Sequence, residues 1–201
     1  MATQTINKFI VRVSLLGATI SSLICARSQD MKLLVAYSSV AHIGFFLVSA
    51  FTSTAIRYSA RTVMIISHGL SSSLLFSLTF KTYEITSSRR LLVSKGAGLV
   101  FPFLSLWWFI GSLGNMGTPP TFNFVGEVLI LIRSLSAVPA RFIFFGPAMF
   151  LSAAYSLVLF TSLCHGGGDG VVSQYRNRFN LVGLLHLAPL FSLFLIRVIF
   201  S

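Results

Sequence analysis

Hydrophobic residues dominate six stretches of the chain, and short polar segments separate them. A bilayer core of roughly 30 Å needs about 20 apolar residues as helix, so each stretch predicts one membrane span. The stretches are residues 9–26, 33–56, 62–80, 98–132, 142–164 and 181–200. They predict an all-α, polytopic membrane protein with about six transmembrane helices in one transmembrane domain that covers residues 1–201.

The fourth stretch, residues 98–132, is too long for one span and contains helix-breaking residues in its middle. The sequence "GNMGTPPTFNFVGEVLI" covers residues 114–130, and its break residues are Gly114, Gly117, Pro119 and Pro120. Threonine followed by proline is typical of a helix start, because the hydroxyl can cap the helix and proline fits its first position. We therefore expect one half-helix to end near Gly114 and a second to start near Pro119, so the fourth span is discontinuous at residues 114–120.

This break predicts a polar environment inside the membrane. Lipid cannot satisfy the freed carbonyls and amides, so irregular backbone is tolerated there only when it is buried in protein or faces a wet cavity. We interpret the break as lining such a cavity. A re-entrant or interfacial loop without a function is the alternative.

Composition and charge agree with a membrane location. Hydrophobic residues make up 55% of the 201 positions and charged residues only 9%. The fifteen Lys and Arg residues greatly outnumber the four Asp and Glu residues, but they occur singly or in pairs between apolar stretches. This scatter excludes a nucleic-acid-binding face and indicates charges at the ends of spans, where lipid head groups are expected partners. Serines within the spans, as in residues 67–77, favour close packing between helices.

Glu127 is the one carboxylate within the predicted spans, about two turns after the break. A charge there costs on the order of 3 kcal/mol by insertion scales, so we expect Glu127 to face the bundle interior with a partner or a proton. A carboxyl group whose surroundings alternate between apolar and cationic can take up and release a proton. A structural ion pair that locks the bundle is the alternative.

His42 and His68 each interrupt one of the earlier spans. From the helical rise, His68 and Glu127 should lie roughly 8 to 10 Å inside the same face, and His42 about 14 Å inside the opposite one. The unperturbed pKa of imidazole is close to physiological pH, so ionisable residues placed in this way can form a proton relay. We expect His68 to relay to Glu127 and His42 to support the path from the midplane. The alternative for each histidine is a neutral side chain bonded to a backbone carbonyl.

Signatures of bound cofactors are absent from the sequence. It contains no phosphate-binding loop, no dinucleotide fingerprint and only two, widely separated cysteines, Cys25 and Cys164. We therefore expect neither a nucleotide, nor an iron–sulfur centre, nor another metal in this chain.

Five segments of the chain resemble, in the same order, motifs of the chain 4 subunits of mitochondrial NADH–ubiquinone oxidoreductase. These subunits are among the antiporter-like subunits of respiratory complex I. The segments are "DMKLLVAYSSVAHIGF", "MIISHGLSSSLLF", "YEITSSRRLL", "LWWFIGSLGNMGTPPTFNFVGEV" and "AAYSLVLF". The resemblance extends from about Phe9 to the C-terminal residue.

The resemblance implies a proton-translocating function in the mitochondrial inner membrane. Members of the family are bundles of fourteen helices built from two inverted repeats, each with one discontinuous helix. Residues 98–132 match the second discontinuous helix and Glu127 its glutamate, while His42 and His68 match histidines on the polar axis. The resemblance also implies that other membrane-arm subunits are partners and that other subunits bind NADH, FMN, the iron–sulfur clusters and ubiquinone.

The chain departs from the family by lacking the first eight helices, and with them the first discontinuous helix, the glutamate of the first repeat and the two lysines expected to drive and centre the path. We therefore expect the outlet half of a proton path, with a companion chain carrying the missing helices; a fragment of a longer protein is the alternative. Two other functional readings stay open. One is another antiporter-like subunit, such as chain 5, chain 2 or a cation/proton antiporter, although many of these have lysine where this chain has Glu127. The other is a non-conducting structural piece of the membrane arm.

Overall fold

A computed structural model of the chain describes residues 2–51, 57–166 and 178–199. The described residues form eight α-helices, one short 3₁₀ helix and no strand. The helices are α1 (Ala2–Arg27), α2 (Met31–Phe51), α3 (Arg57–Thr86), α4 (Ala97–Val100), α5 (Pro102–Asn115), α6 (Phe122–Ala137), the 3₁₀ helix Pro139–Arg141, α7 (Phe142–Cys164) and α8 (Arg178–Ile199). The predicted all-α class is confirmed.

Four helices of the described chain are long and apolar enough to cross a membrane, so the protein is a multi-pass membrane protein. These segments are Gln4–Arg27, Met31–Phe51, Arg61–Thr86 and Pro139–Cys164. Helix α8 contains a shorter apolar segment, Phe179–Ser192. The predicted fourth span, residues 98–132, corresponds to α4, α5 and α6, which are 4, 14 and 16 residues long. Each of the three is too short to cross a bilayer alone.

Local sequence explains how the first turn of the bundle is made. The Asp30 carboxylate accepts hydrogen bonds from the backbone N–H groups of Lys32 and Leu33, at 2.9 and 3.2 Å, and so caps the start of α2. The backbone N–H of Met31 also donates to the carbonyl of Arg89 at 3.0 Å. These bonds place the turn between α1 and α2 beside the segment that follows α3.

Two apolar clusters occupy the two ends of the bundle. One joins the end of α1 and the start of α2 to α3, α5 and α7, and Leu34, Trp108 and Tyr155 are among its buried members. The other joins the start of α1 to the start of α7 through Leu15 and Phe145. Between the clusters lies a layer of buried polar side chains that includes His42, Ser67, Asn115, Asn123 and Glu127. The polar residues predicted to be functional are thus inside the bundle and not on its lipid-facing surface.

Small residues bring helices α1 and α2 together. A Cβ atom added to Gly44 would lie 2.9 Å from both the Cβ of Ala18 and the carbonyl oxygen of Ser14. This close approach is the use that small residues have between membrane helices. It holds α2, and therefore His42 two residues before Gly44, firmly against α1.

Candidate functional site at the helix break

The interrupted segment lies between Asn115, where α5 ends, and Phe122, where α6 begins. Side chains of the loop satisfy backbone carbonyls that the break releases. The Thr118 hydroxyl donates to the carbonyl of Leu113 at 3.1 Å, and the Thr121 hydroxyl donates to the carbonyl of Thr118 at 2.7 Å. Irregular backbone within the bundle therefore has internal hydrogen-bond partners, as a low-dielectric environment requires.

The second half-helix starts later than expected from the sequence. Pro119 and Pro120 are exposed, a cis peptide bond joins them, and both precede the first residue of α6, Phe122. The hydroxyl of Thr118 closes the end of α5 by bonding to Leu113 and does not cap α6. Thr121 occupies the cap position, and its hydroxyl also bonds backward along the chain.

Gly117 brings the loop backbone directly against the Glu127 carboxylate. Its φ angle is 61°, in the left-handed region that favours glycine. A Cβ atom at this position would lie 2.5 Å from Oε2 of Glu127 and 2.9 Å from Oε1. Gly114 is less constrained, since a Cβ there would lie 3.6 Å from the Cβ of Ser71. Among these glycines, Gly117 therefore sets the close approach between the break and the carboxylate.

Glu127 is 1% exposed and projects from α6 toward α2. Its Oε1 lies 3.4 Å from Nδ1 of His42, which is its ion-pair partner among the described residues when the imidazole is protonated. No lysine or arginine of the described chain pairs with it. A buried carboxylate without a permanently charged partner is stable only when a proton or a protonated neighbour neutralises it.

Asn123 connects the carboxylate to the break and to α3. It lies one turn before Glu127 and is fully buried. Its Nδ2 donates to the carbonyl of Gly114 at 3.1 Å and lies 3.5 Å from Oε1 of Glu127, and its Oδ1 accepts from the Ser67 hydroxyl at 3.0 Å. One amide therefore contacts α3, the end of α5 and the carboxylate.

The two histidines continue the row away from Glu127. The ring centroids of His42 and His68 are 4.9 Å apart, with an angle of 33° between the ring planes. Nε2 of His68 is 2.9 Å from the Ser39 hydroxyl, which fixes the orientation of that ring. The order in space is thus Glu127, His42, His68. The sequence predicted a direct relay from His68 to Glu127, whereas the structure has His42 between them.

Several buried polar atoms near this row have no hydrogen-bond partner among the described residues. They are both ring nitrogens of His42, Nδ1 of His68, Oδ1 of Asn115 and the hydroxyl of Tyr155. Nδ2 of Asn115 donates to the Ser156 hydroxyl at 2.9 Å, which ties the end of α5 to α7. Buried polar atoms of this kind are usually satisfied by protein groups or by bound water.

Sequence reasoning missed Asn123 and Asn115, although a signal for Asn123 was present. It is four residues before Glu127, a spacing that puts two side chains on the same helical face. Asn115 gives no such signal, because its partner Ser156 is far away in sequence. Within the described chain, no group of three or more His, Cys, Asp and Glu side chains is arranged to hold a metal ion.

A family model described as NADH:quinone oxidoreductase/Mrp antiporter, transmembrane, matches residues 1–153. The chain is 36% identical over 192 residues to NADH-ubiquinone oxidoreductase chain 4 of Lumbricus terrestris, covering 94% of this chain and 42% of the relative. It is 41% identical over 187 residues to the chain 4 protein of Aedes aegypti, and this match covers 92% of this chain and 42% of the relative. It is 36% identical over 190 residues to the chain 4 protein of Porthidium nasutum, and this match covers 94% of this chain and 82% of the relative.

Solved structures share the fold at lower sequence identity. A chain of respiratory complex I from Thermus thermophilus with bound NADH superimposes with a TM-score of 0.85 and 23% identity, over 94% of this chain and 40% of that chain. A chain of the membrane-bound sulfane sulfur reductase, an archaeal respiratory membrane complex, superimposes with a TM-score of 0.88 and 18% sequence identity. This match covers 98% of this chain and 40% of that chain. The chain therefore spans well under half the length of several proteins that it matches.

Proposed function

This chain belongs to the NADH:quinone oxidoreductase/Mrp antiporter family of membrane proteins, and on that premise we propose that it is a proton-translocating membrane-arm subunit of respiratory complex I. It contributes the outlet half of a proton path. The observation that carries this proposal is the row of Glu127, His42 and His68 beside a broken helix, in which Glu127 and His42 are buried and no Lys or Arg of the described chain pairs with Glu127.

Glu127 takes up and releases the proton at the outlet side, and His42 is its immediate exchange partner. The 3.4 Å separation of Oε1 and Nδ1 is slightly longer than a hydrogen bond, so a small side-chain movement makes or breaks the contact. The 4.9 Å between the imidazole centroids leaves transfer from His68 to His42 to a bridging water. Asn123 and Gly117 hold the carboxylate in place and do not exchange protons.

The same proposal assigns the chain to a larger assembly in the mitochondrial inner membrane. Its curated relatives are named as chain 4 of NADH-ubiquinone oxidoreductase, which favours this subunit over the other antiporter-like members of the family. Other membrane-arm subunits are its partners. NADH, FMN, iron–sulfur clusters and ubiquinone are bound by other subunits, so this chain contributes no redox chemistry to NADH:ubiquinone reduction.

Replacing Glu127 with Gln tests the proposal, because the amide keeps the size of the side chain and cannot release a proton. We expect E127Q to reduce proton pumping per NADH oxidised while the complex still assembles. The measurement is acidification driven by NADH in vesicles that contain the purified complex. Glu84→Gln is the matched control, since Glu84 lies at the end of α3 in a 2.7 Å pair with Lys81 and outside the row.

A non-conducting structural role is the second candidate, and the buried contact between His42 and Glu127 favours it. A buried ion pair that locks α2 against α6 could be retained for packing alone. Normal pumping in an assembled E127Q complex would establish this structural role and overturn the proton-path proposal. Loss of pumping in E127Q but not in E84Q supports conduction.

A further inference from the structure

A basic groove lies on the outside of the bundle, between the first half of α1 and the start of α7. Its volume is about 470 Å³, and its two walls are formed by α1 and by the segment that includes the 3₁₀ helix. Three of its lining side chains are cations, namely Lys8, Arg12 and Arg141. Apolar side chains, including Leu15, Leu16 and Phe144, form much of the remaining lining.

The three cations have no carboxylate partner among the described residues. Asp30 caps α2, Glu84 pairs with Lys81 and Glu127 contacts His42, so the described acidic residues are all engaged elsewhere. The fourth acidic residue, Asp169, lies outside the described residues. The groove therefore combines three positively charged side chains with a mainly apolar lining.

Arg141 gives the clearest indication that an anion belongs in the groove. Its Nη1 is buried and has no hydrogen-bond acceptor in the described chain. A buried guanidinium N–H without an acceptor is costly, and a phosphate oxygen is well suited to satisfy it. Arg12 points to the same ligand, because it is a cation within a helix that is long and apolar enough to cross the membrane.

The position of polar and apolar groups along the groove matches a lipid. Arg141 directly precedes α7, and Arg12 lies ten residues into α1, at the level where α1 packs against the start of α7. Leu16 is one turn further along α1 than Arg12, and Phe144 is three residues beyond Arg141. Both therefore lie deeper in the membrane than the cations. A phosphate at the level of the cations would leave an acyl chain against these deeper side chains.

We propose that this groove binds one phospholipid with a net negative head group. The phosphodiester oxygens accept hydrogen bonds from Arg12 and Arg141, and Lys8 adds a third positive charge at the membrane surface. A zwitterionic lipid fits less well, since the described chain offers no carboxylate in the groove to meet its ammonium group. This proposal stands independently of the proton path.

The test uses the complete complex in phosphatidylcholine vesicles that contain a small fraction of phosphatidylglycerol with a photoactivatable head group. We expect cross-links to peptides from the start of α1 and from residues 138–144. At subsaturating lipid, the paired change Arg12→Gln and Arg141→Gln should lower their yield roughly thirtyfold, since each cation near a membrane contributes about fivefold. Arg12→Gln alone should lower it about fivefold.

Two further variants separate charge from folding. Arg27→Gln removes a cation from the opposite end of α1 and should leave the yield unchanged. Arg12→Lys combined with Arg141→Lys keeps the positive charge and should retain most of the binding. If the paired Gln variant does not assemble, the single Arg12→Gln change decides the question, because Arg12 is exposed and makes no hydrogen bond in the described chain.

Four outcomes would overturn the proposal. Equal cross-linking by a matching photoactivatable phosphatidylcholine would remove the preference for negative charge. Equal yields from wild type and the Gln variants would remove the cations from the site. Complete competition by millimolar inorganic phosphate would identify a site for a free anion. Cross-links in native membranes between this groove and a carboxylate-containing peptide would identify a protein segment as the occupant.

Discussion

The contact between Gly117 and Glu127 is the narrowest point of the site at the residue scale. The backbone of the break lies against the carboxylate with no room for a β-carbon, and the φ angle of 61° disfavours other residues independently. A buried carboxylate needs a fixed position to exchange protons with one neighbour. The backbone of Gly117 limits the movement of the Glu127 carboxylate on one side. Asn123 and His42 contact the carboxylate on two other sides.

We predict that Gly117→Ala lowers the free energy of unfolding in detergent by about 1 to 3 kcal/mol, because a left-handed backbone is strained in alanine and the carboxylate must move. Chemical denaturation followed by tryptophan fluorescence measures this effect. Gly17→Ala is the control, since no atom lies within 4 Å of a β-carbon there and the residue is inside α1. That control should be neutral or stabilising by up to about 1 kcal/mol. Equal losses in both variants would contradict the close approach.

At the scale of elements, the site depends on two half-helices that are held by a third. Helices α5 and α6 meet at the break, and α3 packs against both. The Asn123 amide joins all three, through the Ser67 hydroxyl on α3 and the Gly114 carbonyl at the end of α5. A broken helix has fewer backbone hydrogen bonds than a continuous one, so side chains such as this amide determine its geometry.

We predict that Asn123→Leu destabilises the protein by about 1 to 3 kcal/mol, since the apolar side chain leaves buried polar partners with fewer bonds. Thermal unfolding of the purified chain or complex measures the change. Ser136→Ala is the control on the same helix, because its exposed hydroxyl bonds only to the carbonyl of Arg133. The control should change stability by no more than about 0.5 kcal/mol. A neutral Asn123→Leu variant would show that the amide is not what holds the break.

At the scale of the whole molecule, the two larger apolar clusters of the described chain lie at different levels along the helices. These clusters hold the helices together, and the row from Glu127 to His68 lies between them. The chain covers 42% of several curated relatives, so the row is part of a longer path if the proton-path proposal is correct. What continues the path must come from sequence outside the region matched here.

We predict that mass spectrometry of the intact complex from its native membrane finds the other helices of the relatives in an amount equal to this chain, because one proton path needs one copy of each part. The measurement compares peptides of this chain with peptides of the other helices, whether one polypeptide or two carry them. An assembled complex without the missing helices would favour the structural role over proton conduction.

Sequence alone was informative about features that depend on local chemistry. The lengths of the apolar stretches predict where the helices lie. The glycines and prolines of residues 114–120 predict where the fourth span is interrupted, because these residues disfavour a continuous helix wherever they occur. A lone carboxylate, Glu127, and two histidines within apolar stretches mark the candidate site for a similar reason. The energetic cost of polar groups in lipid makes them conspicuous without knowledge of their neighbours.

Contacts between helices required the tertiary structure, because they depend on how each helix is rotated and which helix is next to it. The sequence set Glu127 and His68 at similar depth but could not place His42 between them. Likewise, the sequence shows that Arg12 lies within the first apolar stretch, but only the packing of α1 against the start of α7 gives that cation a groove shared with Arg141. The sequence itself determines how deep each polar residue lies in its span. The packing of helices that are distant in sequence determines which residues each polar side chain contacts.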